Sequence, residues 1–70
     1  MNVGQNIRAI RKLQGITLEE VGNSLGVSKQ FIAKLEQGLR TPNLSQLIDI
    51  CEVLHCTPND VLNVKFRKED

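Results

Sequence analysis

The sequence predicts an all-α fold of five short helices. Two observations carry that reading. Capping residues repeatedly stand ahead of apolar positions spaced three and four apart. Glycines at 15, 26 and 38 fall where the helices between them have to stop.

The first helix runs over roughly residues 3 to 14, where Asn2 with Gln5 resembles a capping box and Val3, Ile7, Ile10 and Leu13 form an apolar stripe ending at Gly15. Thr17 with Glu20 is a stronger box, because the hydroxyl accepts from an orphan amide while the carboxylate reaches back and favours the positive helix end. Leu18, Val21 and Leu25 make the buried face of this second helix. Ser28 opens the third after the break at Gly26, with Ile32 and Leu35 facing inward and Gly38 closing it. Asn43, after Pro42, caps a fourth helix whose stripe is Leu44, Leu47, Ile48, Cys51 and Leu54. Thr57 followed by Pro58, with Asp60 in the first turn and Val61 and Leu62 inward, makes a short fifth. Beyond it Leu62, Val64 and Phe66 alternate with Asn63, Lys65 and Arg67, a period of two that suits a short extended segment.

Seventy residues are expected to form one domain, 1–70, burying about 60% of the surface the unfolded chain exposes. Hydrophobic residues make up 40% and charged residues 24%, which separates the chain from disordered sequences. Nine Lys and Arg against eight Asp and Glu leave a formal charge of +1, so net charge alone does not announce nucleic acid. Two cysteines are too few for a secreted disulfide framework, and neither an apolar signal segment nor a run of about 18 apolar residues is present. The expected compartment is a reducing cytoplasm.

Cys51, His55 and Cys56 lie close together and raise the question of zinc. Three local ligands with no second cluster do not complete a site, and Cys51 falls on an apolar stripe where a thiol packs as a small hydrophobe. His55 has no nearby nucleophile or paired carboxylates, so no catalysis, metal or cofactor is expected.

The functional weight falls on residues 17–38, TLEEVGNSLGVSKQFIAKLEQG, where two short capped helices meet at the tight turn Leu25-Gly26-Val27-Ser28 and must cross steeply. Gly22 is the small residue at the crossing. On propensity alone Ala would serve there, gaining about 0.5 to 1 kcal/mol.

Arg11, Gly15 before Thr17, Glu19-Glu20-Val21, Leu25-Gly26-Val27-Ser28, Ile32, and Glu36-Gln37-Gly38 leading to Pro42 together resemble the Cro and cI repressor family of helix-turn-helix proteins, often called the Xre family, over residues 2–62. The resemblance implies a lambda-repressor-like fold with a helix-turn-helix core at 17–37, and a transcriptional regulator, in the first instance a repressor. Its partner would be double-stranded DNA. It implies that the helix starting near Ser28 enters the major groove, and that Lys29, Gln30 and Lys34 meet base edges. Gln30 can bond adenine bidentately, and the lysines can donate to guanine O6 and N7. Thr17 and Ser28 sit at helix N-termini, where capping and phosphate contact are compatible. Arg40 resembles the family's backbone-contacting loop residues, and Arg11 with Glu36 matches a structural ion pair. Leu18 departs from the pattern, which has Gln there to hold phosphate and the recognition helix. Phe31 is assigned to packing rather than to DNA.

The same resemblance implies a homodimer on a two-fold symmetric operator, with half-sites about 34 Å apart. Helix five and residues 64–66 would supply the contact. A different class of function stays open beside it: an antitoxin or interaction module that uses this fold to hold a protein partner.

Overall fold

The computed structural model describes residues 3–63. Among them lie five helices and no strand: α1 Val3–Leu13, α2 Leu18–Leu25, α3 Lys29–Gln37, α4 Leu44–Val53 and α5 Pro58–Asn63. The predicted extended segment from Val64 onward lies outside the described residues, as does Asn2 of the first capping box.

Side chains acting on orphan amides set the helix starts. Thr17 Oγ1 accepts from the Glu20 amide at 3.0 Å while Glu20 Oε1 accepts from the Thr17 amide at 2.8 Å. Asn43 and Gln46 reciprocate in the same way at 2.8 and 3.0 Å, and Thr57 and Asp60 at 3.2 and 3.0 Å. Ser28 Oγ accepts from the Phe31 amide at 3.1 Å. Each arrangement fills donors that the helix itself cannot use.

The ends of α1 to α4 share one motif, in which an amide beyond the helix donates back to a carbonyl five residues earlier: Ile16 to Arg11, Val27 to Gly22, Leu39 to Lys34 and Cys56 to Cys51, at 2.9 to 3.2 Å. The residue just before each of these donors is left-handed. Three of the four are glycine, but the fourth is His55 with φ 56°.

Ile7, Val21, Ile32, Leu35, Leu47, Ile50, Cys51, Leu54 and Val61 form the core, each fully buried aliphatic side chain contributing about 1.5 to 3 kcal/mol. α3 packs on both α1 and α2, α4 closes against α2, and α5 returns to α1 and α4.

Three stripe assignments change. In α4 the inward face is Leu47, Ile50, Cys51 and Leu54, whereas Leu44 is 72% exposed and Ile48 43%. Two apolar stripes at helical spacing overlap on this helix, and its packing on α2 and α5 selects the one containing Ile50. In α1 Leu13 is 87% exposed, and Gln14 takes the place one turn beyond Ile10, its amide donating to the Leu54 carbonyl at the end of α4. In α5 Val61 is buried but Leu62 is exposed, since adjacent helical residues point about 100° apart. Asn6, polar yet buried on α1, donates to the Val61 carbonyl and so fastens α5.

Candidate nucleic-acid interface

Two glycines let α3 lie close to its neighbours. A Cβ on Gly22 would stand 2.7 Å from the Val27 carbonyl oxygen and 3.2 Å from the Lys29 amide nitrogen. Ala therefore does not serve at the crossing, contrary to the propensity reading, because the obstacle is backbone. A Cβ on Gly4 would stand 2.8 Å from the Glu36 carbonyl oxygen and closer still to that of Leu35. The sequence pattern gave no sign of this contact, since a glycine inside a helical stripe looks like a local weakness.

Between these contacts α3 is tied by charge. Arg11 Nε donates to Glu36 Oε2 at 2.7 Å and Nη2 to Oε1 at 3.2 Å, both side chains being buried. Arg11 Nη1 also donates to the Ile16 carbonyl at 2.8 Å, so one guanidinium joins α1, the turn before α2 and the end of α3. Such a two-point pair has a fixed geometry as well as charge.

Supported on its inner face, α3 leaves Lys29, Gln30 and Lys34 exposed on the other. A groove of about 710 Å³ opens where the end of α1, the start of α2 and the start of α3 meet. It brings Thr17, Lys29 and Gln30 together with Arg11, Lys12 and the acidic Glu19, and Lys12 is a rim residue that the sequence pattern did not single out. Ser28, Lys34 and Arg40 do not line it. Arg40 sits instead beside α3, its guanidinium over the Phe31 ring. Phe31 is half-buried against the core, and Thr17 and Ser28 are occupied as caps.

The thiols lie elsewhere. Burial first of all, then the neighbouring Cys56, pushes Cys51 up to about 12 from an ordinary 9.0, and burial also raises Cys56. Cys51, buried in the core, packs as a small hydrophobe. Among the described residues no group of His, Cys, Asp and Glu is arranged to hold a metal ion, and no helix is long and apolar enough to cross a membrane.

A family model described as helix-turn-helix matches residues 7–61. The uncharacterized HTH-type transcriptional regulator YazB of Bacillus subtilis is 34% identical over 58 residues, covering 83% of this chain and 84% of the relative. The crystal structure of the P22 c2 repressor protein in complex with a synthetic operator superposes with a TM-score of 0.82 at 32% identity, over 90% of this chain and 96% of that one. The complex of SinR protein with SinI protein gives a TM-score of 0.80 at 28% identity, over 97% of this chain and 66% of that one.

Proposed function

Because this chain belongs to the helix-turn-helix family of DNA-binding transcriptional regulators, we propose that it is a repressor that reads a palindromic operator as a homodimer, with α3 in the major groove. The observation that carries this is the exposed row Lys29, Gln30 and Lys34 on a helix whose other face is pinned by Arg11, Gly22 and Gly4. A rigid helix with polar side chains of this reach can match base edges. Gln30 meets adenine N6 and N7, while Lys29 and Lys34 meet guanine O6 and N7.

Phosphates fix the register. Arg40 contributes charge, and the starts of α2 and α3 at Thr17 and Ser28 offer first-turn amides and the positive end of the helix dipole. The two-fold contact uses α5 together with the segment beyond it. The protein works in the cytoplasm, without a cofactor and without catalysis.

Selection from a random DNA pool, repeated at two salt concentrations, tests the proposal. Enrichment of a palindrome with half-sites about 34 Å apart supports it. Salt-sensitive binding without enrichment, or no binding, overturns it in favour of a second reading, a protein partner such as a toxin. The SinR complex with SinI favours that alternative, and co-purification of a toxin would discriminate it.

A further inference from the structure

The groove beside the start of α3 is not uniformly polar. Its rim is exposed and carries Lys12, Thr17, Glu19, Lys29 and Gln30, whereas Ile16, Leu18 and Ala33 in its lining are half-buried and apolar. Leu18 is the first residue of α2 and packs its inner side on the core, and Ala33 stands one turn beyond Gln30 on α3.

Resting on the operator reading above, we infer that this apolar floor receives the 5-methyl group of a thymine, which makes Leu18 a specificity-determining residue. The major groove edge offers hydrogen-bond donors and acceptors at every base pair but only one apolar group, the thymine methyl. A floor of Leu and Ala faced with an acceptor or an amino group would strip that group of water and return no hydrogen bond. Faced with a methyl, it loses nothing and buries apolar surface. Lys29 and Gln30 on the rim limit where the methyl can enter. Ala33 follows Gln30 by one helical turn, so the thymine lies at or next to the base pair that Gln30 contacts. A polar residue at position 18 would turn this floor toward phosphate, and Leu18 turns it toward a base.

The test uses the intact protein and the selected operator, with each thymine replaced singly by uracil, which removes the methyl and keeps every hydrogen-bonding group. Affinities are measured at one salt concentration. At one thymine in each half-site uracil should weaken binding about fourfold, the worth of burying one methyl-sized group. Leu18→Gln should bind thymine and uracil equally there, and Leu18→Ala should reduce the ratio if the Gln variant does not fold. Equal affinity for thymine and uracil throughout, a half-site without thymine, or a methyl effect unchanged in both variants overturns the inference and leaves the operator reading standing. A pool that enriches no sequence overturns both.

Discussion

The guanidinium of Arg40 lies 5.4 Å from the centre of the Phe31 ring. This contact joins the loop after α3 to the helix itself, and under the proposed reading, in which Arg40 meets phosphate, it would give Phe31 a part in binding. Without the ring, Arg40 would sample many rotamers on an open loop. An exposed cation–π contact contributes about 0.5 to 1 kcal/mol, so Phe31→Ala should weaken binding to every DNA sequence by roughly two- to fivefold. Arg40→Ala should do the same and also flatten the salt dependence by about one unit of slope. Binding curves at several salt concentrations separate the two, and a change of preferred sequence in either variant would count against this assignment.

Arg11 and Glu36 make a stability prediction. Removing one partner leaves the other charged and buried, at a cost of about 3 to 5 kcal/mol. Glu36→Ala should lower the melting temperature by well over ten degrees, at about 4 to 8 °C per kcal/mol for a chain this small. Glu36→Gln should lose less, because its amide oxygen can still accept from Arg11. An unchanged melting temperature in the alanine variant would show that the pair does not hold α3.

The elements were legible because their starts and stops are local chemistry. Thr17 with Glu20, Ser28, Asn43 and the glycines at 15, 26 and 38 act within a few residues of themselves. What was not legible depends on other elements. Ile50 faces inward and Ile48 outward because α2 and α5 select one of two overlapping stripes, and Asn6 is buried because a carbonyl of α5 meets it. In the groove, Thr17, Lys29 and Gln30 could be singled out from the motif. Lys12 could not, since only the fold brings the end of α1 to the start of α3.

Gly22 separates propensity from sterics. Gly22→Ala would favour an isolated helix, yet its methyl would press on the Val27 carbonyl at 2.7 Å, and that backbone belongs to the turn that orients α3. Overpacking of this kind costs about 1 to 3 kcal/mol. The variant should therefore melt lower, as followed by circular dichroism; a higher melting temperature would mean that the turn moves away freely.

His55 reverses that argument. It occupies the left-handed end of α4 with φ 56°, where α1, α2 and α3 use glycine. An L-residue there carries about 1 to 2 kcal/mol of strain, partly offset by the extra freedom glycine gives the unfolded chain, about 0.4 to 1 kcal/mol. His55→Gly should raise stability by roughly 0.5 to 1 kcal/mol on this balance. Urea unfolding that shows a loss would point to a contact of the imidazole outweighing the strain.

Cys51 gives the fold a dependence on alkaline pH. Its thiol is held near 12 in the folded chain, chiefly by burial, against an ordinary 9.0. Below pH 9 both states keep the proton and the group is silent. Between about 9 and 12 the unfolded chain loses the proton while the folded one keeps it, so stability falls as pH rises, by up to about 1.4 kcal/mol for each pH unit. Cys56 is raised in the same direction and adds to the slope. Urea midpoints at pH 8 and pH 10 should differ clearly in the native chain and less in Cys51→Val, which keeps the buried side chain apolar and removes its titration. Equal pH slopes in the two proteins would mean that the buried thiol is not what opposes folding in base.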